Sequence, residues 1–441
     1  AGETLVLTYH ATVDDGHGGI VIVPLTLTVT VQGTNDIPTI TATSDGFIEL
    51  VGMTGNTTPP DHAGGTITFT DVDLTDRPTV SAHFTSFTYQ DSQTTLYTDF
   101  TGLTAQQQAA ITAVEASLSL TPDGANANNG SVTWSYDLPD NSFDFLADGE
   151  ILALTYTATL DDHRGGIVLT PITVTITGTN DAPLIVAEDL AGDVTELVTP
   201  SGDLTDSGTI TFTDVDLTDV HGVSATGIYT GSDTALGALT ATVTADTTGT
   251  GTGGELTWTY NVPASATEYL GDGDSRIEAF TVDFTDNNGF TVTKTISVTI
   301  TGTNDAPAVY AIAQQDIDVP TSPGILTASI PVTFTDVDLT DLHAARITHV
   351  EATGVTGSFS TTDDTALIAL MQASSVLEPS SSTPGSFQLE FNANSSVFDY
   401  LGDSDILTLT YTLEIDDLHG GVTPQTAVVA IQGNNGFFVG S

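Results

Sequence analysis

The tetrapeptide Gly-Thr-Asn-Asp stands at 33–36, 178–181 and 302–305, and a degraded Gly-Asn-Asn follows at 433–435. The octapeptide FTDVDLTD recurs unchanged at 69–76, 212–219 and 334–341. A third element precedes the linkers at 33, 178 and 433: GETLVLTYHATVDDGHGGI from Gly2, GEILALTYTATLDDHRGGI from Gly149, and a looser copy ending IDDLHGGV at Val422. Self-similarity at a long period marks a tandem array, in which each unit is one structural module. We read three complete repeats, 37–181, 182–305 and 306–441, with the last linker element at 433–435. Residues 1–36 read as the final two strands of a fourth repeat whose front half is missing. A chain that starts in mid-module is expected to be a piece of something longer; the alternative is that its strands pair with a neighbouring molecule.

Within each repeat the hydrophobic period is two. Ile172, Val174 and Ile176 alternate with threonines, and the same period runs through Leu5, Leu7, Tyr9, Ala11 and Val13 and through Leu407, Leu409, Tyr411, Leu413 and Ile415. Such alternation puts apolar residues on one face of a strand and polar ones on the other. Threonine and valine favour that setting, and the chain holds roughly 80 threonines. Short alternating strands separated by Asp/Gly/Asn clusters predict antiparallel sandwiches. The fold class is all-β: tandem immunoglobulin-like β-sandwiches in a linear array. Two repeats carry an interruption with helical spacing. Leu103, Ile111, Val114 and Leu118 suit one short helix within 102–118, and Thr365–Val376 looks similar. These are expected as loop insertions that cover a sheet edge or meet a partner.

Charge narrows the function. The chain has 57 acidic residues against 5 basic ones, a net charge of −52, and no cysteine. Binding of a nucleic-acid backbone needs basic surface, so nucleic-acid partners are excluded. Missing thiols exclude disulfides and Cys-based zinc sites. No apolar run reaches the roughly 18 residues that a helical span needs, so no membrane insertion is expected. With 39% hydrophobic residues and a mean hydropathy of +0.11, there is material for cores.

The acids fall where repeats meet. In a seven-strand sandwich, the end of the second strand, the loop between the last two strands and the incoming linker share one end. The first joint thus gathers Glu3, Asn35, Asp36, Asp71, Asp73, Asp76, Asp161 and Asp162. The second gathers Asp148, Glu150, Asn180, Asp181, Asp214, Asp216, Asp219 and Asp286. The third gathers Asp272, Asp274, Asn304, Asp305, Asp336, Asp338, Asp341, Asp416 and Asp417. Two like charges 4 Å apart repel by about 4 kcal/mol at an effective dielectric of 20, so such clusters require counter-ions. Ca²⁺ accepts six to eight oxygens at about 2.3–2.6 Å and tolerates irregular geometry, whereas Mg²⁺ keeps its waters and wants an octahedron. Calcium is the expected ion. Asp and Asn also make turns and keep a chain dispersed, but recurrence of the whole set at every joint favours ligation.

The segment FDFLADGEILALTYTATLDDHRGGI followed by TVTITGTNDAP (Phe143 to Pro183) resembles the VCBS and type I secretion target repeats of giant bacterial surface and RTX-type adhesins. It is also similar to the cadherin repeat, whose linker carries Asn-Asp-x-Pro and whose next domain supplies Asp-x-Asp. The resemblance implies cadherin-like sandwiches, calcium binding and export by a type I system. The glycine-rich nonapeptides of the RTX calcium roll are absent. The cadherin comparison also implicates Glu49 and Glu196 as ligands across the linker; the third repeat has Asp318 nearby instead.

Other motifs are weaker. His17, His163 and His419 lie in the last loop of a repeat, and His221 and His343 follow the DVDLTD clusters; all are expected to be solvated. Trp134 and Trp258 match on alternating strands, with Leu389 in the third repeat, and read as core. There is no GxSxG, HExxH or P-loop, and an enzyme is not expected. Two functions remain. One is mechanical: calcium-stiffened extender repeats of an adhesin on the bacterial surface or of an extracellular fibre, their partners being neighbouring repeats or further copies. The other is calcium-dependent recognition of surface glycans or matrix polysaccharide by the repeats themselves.

Overall fold

The computed structural model describes residues 2–50, 55, 57–362 and 365–434. Each complete repeat is a two-sheet sandwich. In the middle one, the first sheet orders Leu184–Glu188, Asp203–Thr213, Gly254–Pro263 and Ala238–Ala245. The second orders Ala191–Thr195, Thr291–Thr301, Ser275–Thr285 and Gly222–Val223. Neighbours pair antiparallel except where Ala191–Thr195 runs parallel to Thr291–Thr301. The same parallel pairing joins Asp45–Ile48 to Ile167–Thr177 and Gln315–Asp318 to Val422–Gln432. The first strand of each repeat is therefore split, half of it completing each sheet, so both sheets gain a covered edge.

The period-two reading holds in detail. Along Ile151–Asp161 every second residue is buried, Leu152, Leu154, Tyr156, Ala158 and Leu160 all being fully inaccessible. Trp134, Trp258 and Leu389 are fully buried. The two helical insertions stand where expected, but they are placed differently. Helix Ala105–Ala113 starts with a capping box between Thr104 and Gln107. Leu103, Ile111, Val114 and Leu118 join the hydrophobic core instead of covering an outer edge. The hydroxyls of Tyr136 and Tyr156 donate to the carbonyls of Val114 and Ala116, both at 2.6 Å. A single turn, Thr365–Ile368, does the same in the third repeat, where Tyr411 donates to the Leu367 carbonyl at 2.9 Å. Lacking a helix there, the middle repeat satisfies the Tyr260 hydroxyl on buried Glu278 at 2.8 Å.

At the front, Thr4–Asp14 and Ile20–Gln32 form an antiparallel hairpin. Leu5, Leu7, Tyr9, Leu27, Val29 and Val31 are exposed there, whereas their counterparts Leu152, Leu154, Tyr156, Ile172, Val174 and Ile176 lie in the core of the next repeat. The linker glycine has a steric cause. A Cβ on Gly178 would stand 2.2 Å from the Leu146 carbonyl oxygen, and one on Gly302 would stand 2.1 Å from that of Leu270. Only glycine lets the last strand pass so close to the base of its own repeat. Asn435 and Gly436 of the final linker lie outside the described residues.

Candidate metal centres between the repeats

Strands Asp61–Thr70, Asp203–Thr213 and Ile325–Thr335 end immediately before the first aspartate of each DVDLTD loop. The loop is held by its own acids. Asp71, Asp214 and Asp336 accept the backbone N–H of Asp73, Asp216 and Asp338 at 2.9, 3.0 and 3.0 Å. The second aspartate then receives the linker. Asp73, Asp216 and Asp338 accept the N–H of Asp36, Asp181 and Asp305 at 2.9, 2.8 and 2.7 Å. A negative side chain thereby fixes the backbone of another acid, an arrangement with no net charge relief.

The last loop of each repeat adds a third piece. One oxygen of Asp162, Asp286 and Asp417 ties down its own turn by accepting the N–H of Arg164, Asn288 and His419 at 2.7, 2.8 and 2.8 Å. The residue between adopts a left-handed conformation in each case: His163, Asn287 and Leu418 have φ of 64°, 65° and 68°. The other oxygen accepts the linker amide, from Asn35, Asn180 and Asn304 at 2.8, 2.9 and 3.0 Å. This orients the amide so that its oxygen faces inward. Asn35, Asn180 and Asn304 each keep a buried Oδ1 with no hydrogen-bond partner among the described residues. Asp71 Oδ2, Asp216 Oδ1, Asp219 Oδ2 and Asp338 Oδ1 are orphaned in the same way. Burial pushes Asp216 up to about 10, Asp219 up to about 7 and Asp338 up to about 6. At the first joint, one oxygen each of Asp71, Asp76 and Asp162 lie within 4.8 Å of one another.

A second cluster lies across the linker, at the base of the preceding repeat. One oxygen each of Glu49, Asp144 and Asp181 come within 4.8 Å, as do those of Glu196, Glu268 and Asp305. Glu49 and Glu196 are placed by backbone bonds to the ends of the final strands, Thr177 and Thr301, at 3.0 and 2.9 Å. Their carboxylates accept the N–H of Thr179 and Thr303 at 3.1 and 2.9 Å. Burial lifts Glu49 to about 9 and Glu196 to about 7, with Asp181 and Asp305 adding to the shift. Asp181 and Asp305 thus span their joints, the N–H held by the repeat above and the carboxylate facing acids of the repeat below.

Not every expected residue takes part. Asp148 and Asp272 are exposed on turns. Glu150 is buried but saturated, accepting from Tyr89, Thr218, Ala147 and Ser92 at 2.7, 2.7, 3.2 and 3.3 Å. Asp274 accepts the matching Thr340 hydroxyl at 3.1 Å, so these two acids clasp adjacent repeats by hydrogen bonds. Asp161 and Asp416 cap the turns after them, accepting the N–H of His163 and Leu418. Glu3 is exposed. Asp144 and Glu268 went unnoticed in the sequence, although an acid recurs at that place in FDFL, TEYL and FDYL. His221 and His343 correct an expectation. Neither is solvated; each is buried between two carboxylates, His221 with Asp214 and Asp246 at 2.9 and 2.7 Å, His343 with Asp336 and Glu378 at 2.9 and 2.8 Å. Burial acts to lower both imidazoles, but the acid partners outweigh it and raise them. The three joints differ at one further position: Asp76 meets the Arg164 guanidinium at 2.9 Å, Asp219 the Asn288 amide at 2.6 Å, and Asp341 the His419 ring at 3.2 Å.

Among the described residues, the buried side-chain atoms left without a hydrogen-bond partner in these clusters are all oxygens, of carboxylates and amide carbonyls. That donor set fits a hard divalent cation and suits Ca²⁺.

No protein-family model matches the chain, and no curated protein matches it. Solved structures similar to it include cadherin and protocadherin extracellular domains. The protocadherin gammaB4 extracellular domain aligns over 97% of this chain at 15% identity, with a TM-score of 0.37. Protocadherin gamma B2 extracellular cadherin domains 1–5 align over 93% at 15% identity and 0.38, and mouse cadherin-23 EC22–24 over 91% at 11% and 0.31. The chain spans 55% of the first, 63% of the second and 99% of the third. At these scores the likeness carries no argument of its own; the architecture rests on the strand pairings above.

Proposed function

We propose that these repeats are calcium-stiffened extenders of an extracellular adhesin or fibre, the bacterial surface being the setting that the sequence resemblance suggests. One observation carries the reading: at all three joints an asparagine amide is turned by its aspartate partner so that a buried, unpaired carbonyl oxygen faces a nest of carboxylates. A side chain held in that pose without a donor serves a cation. Asn35, Asp71, Asp76 and Asp162 would hold one at the first joint. At the second the set is Asn180, Asp216, Asp219 and Asp286, and at the third Asn304, Asp338, Asp341 and Asp417; there the middle aspartate of DVDLTD takes the place of the first, whose Oδ2 is engaged by His221 or His343. Glu49, Asp144 and Asp181, then Glu196, Glu268 and Asp305, would hold others from below. The ion supplies positive charge to acids that otherwise repel, so binding and joint order are coupled. Small-angle scattering tests this: the maximum dimension is expected to be longer and sharper in calcium than in chelator, and identical profiles would overturn the reading.

A further inference from the structure

The DVDLTD loop has one sequence at every joint, yet its first two aspartates leave different oxygens without a donor. At the first joint the unpaired, buried oxygen is Oδ2 of the opening aspartate, Asp71. At the second and third it is Oδ1 of the middle aspartate, Asp216 or Asp338, both fully inaccessible. The opening aspartate there has both oxygens engaged. Oδ1 of Asp214 and Asp336 accepts the N–H of Asp216 and Asp338, and Oδ2 meets an imidazole Nε2, of His221 or His343, at 2.9 Å in both repeats.

These two imidazoles are built into their repeats. Asp246 and Glu378 meet the other ring nitrogen, Nδ1, at 2.7 and 2.8 Å, and also accept the histidine backbone N–H at 3.0 and 3.2 Å. The His221 ring stacks on Phe284, with centroids 5.3 Å apart and planes 6° from parallel. Both rings lie 4.8 Å from a phenylalanine that precedes the loop, Phe212 or Phe334. A ring held at both nitrogens and walled by aromatic side chains is fixed in place, and it fixes the carboxylate it touches. The first repeat has Pro78 at the matching position, two residues beyond the last aspartate of the loop. Proline offers no donor. Neutral amides hold the loop start instead: the Asp71 N–H donates to Asn129 Oδ1 at 2.9 Å, and the Asn128 amide donates to the Asp71 carbonyl. Asp71 Oδ2 is left open.

We propose that His221 and His343 are positioning residues that decide which aspartate of the loop meets the cation. By holding Oδ2 of Asp214 or Asp336 they withdraw that carboxylate from the ion and leave the ligand role to the middle aspartate, whereas Pro78 leaves Asp71 to bind directly. This rests on the reading of the joints as calcium cages. Each imidazole thus lowers the affinity of its own joint, and it gives a buried carboxylate a partner when no ion is present.

The test compares the full chain with the variants His221→Leu and His343→Leu, which keep the site apolar and remove both ring nitrogens. In chelator each variant is expected to melt at a lower temperature, because a buried aspartate loses its partner. In calorimetric titration with calcium, each is expected to show one binding step tightened by at least about tenfold, the freed carboxylate now facing the ion at short range. A histidine that only supports the fold would lower stability and binding together, so steps unchanged or weakened in both variants would overturn the proposal. The parent chain supplies a second readout that depends on no substitution. In nuclear magnetic resonance of chain carrying isotope-labelled histidine, the Nε2 protons of His221 and His343 are expected to keep their shifts and their protection from exchange when calcium saturates the joints. Their loss on calcium addition would mean that Asp214 and Asp336 turn to the ion, and would overturn it as well. Absence of calcium uptake by the parent would instead overturn the cage reading itself.

Discussion

The bases of the first and third repeats are built on one scaffold and filled with opposite chemistry. Where the first has Glu49, the third has Val319, each held by the same backbone bond to the end of its last strand, at 3.0 and 2.9 Å. Where the first has Asp61 and Asp140, the third has Leu326 and Ser395; the Ser395 N–H donates to the Gly324 carbonyl and its hydroxyl oxygen accepts the Gly324 N–H. Val319, Ser395, Phe398, Asp399 and Leu401 line a cavity of about 280 Å³ there. The sandwich closes equally well in both versions, so the acids are not required for folding. They are a cost that the first repeat carries and the third omits, which argues that they serve a ligand.

Calcium removal should separate the two ends most strongly. An ion at a thousand times its Kd stabilises the state it binds by about 4 kcal/mol, and the proposed ions would act at all three joints. Thermal unfolding in chelator is therefore expected to fall by tens of degrees, with hydrogen exchange rising around 49, 144 and 181 before it rises around 319 and 395. A uniform rise would remove the distinction.

Substituting Glu49→Val copies the third repeat into the first. In calcium this should weaken binding at the second joint by at least about tenfold, or 1.4 kcal/mol. In chelator it should raise the melting temperature, because a buried acid without a cation is lost. Opposite signs in the two conditions are the signature; a loss of stability in both would make Glu49 a structural group.

The pH response follows from the raised acids. Glu49 at about 9 and Asp216 at about 10 are protonated in the folded, metal-free joint well above the ordinary carboxylate range near 4. Such groups hold protons more tightly when folded than unfolded. Their contribution is complete below about pH 4 and is lost as pH rises toward 9 or 10. In chelator, stability should decline from pH 5 to 9. With calcium present the decline should flatten, since the ion replaces those protons. Denaturant unfolding across that range in both buffers decides it.

The smallest effect expected concerns Arg164, whose guanidinium stands on Asp76 where the second joint has Asn288 on Asp219. Arg164→Asn should tighten calcium at the first joint by a few-fold, and competition with a chromophoric chelator measures it. No change would place the guanidinium outside the reach of the bound ion.

Much of this was legible in the residues. Alternation of apolar residues with threonines fixes which face is core, because strand side chains obey a strict period of two. The DVDLTD aspartates were found because they recur unchanged at a strand end. Asp144 and Glu268 were not, because the acid varies between Asp and Glu inside an apolar segment that reads as core. Glu150 and Asp274 misled in the opposite sense: they sit at the joint, but Tyr89 and the threonines of the next repeat already satisfy them, and hydroxyl partners leave no trace in spacing. His221 and His343 looked like loop residues, yet Asp246 and Glu378 from distant loops enclose them. Contacts between segments far apart in sequence are what one sequence alone carries least.

The central claim, that the acid nests between the sandwiches are ion cages, is met most directly by calorimetric titration of fully demetallated chain with calcium. The expected result is saturable uptake of several ions per chain with Kd values in the micromolar range or tighter, little weakened by added monovalent salt. Weak, unsaturable heats that vanish as salt is raised would mean only a diffuse counter-ion atmosphere around a highly charged surface, and would contradict it.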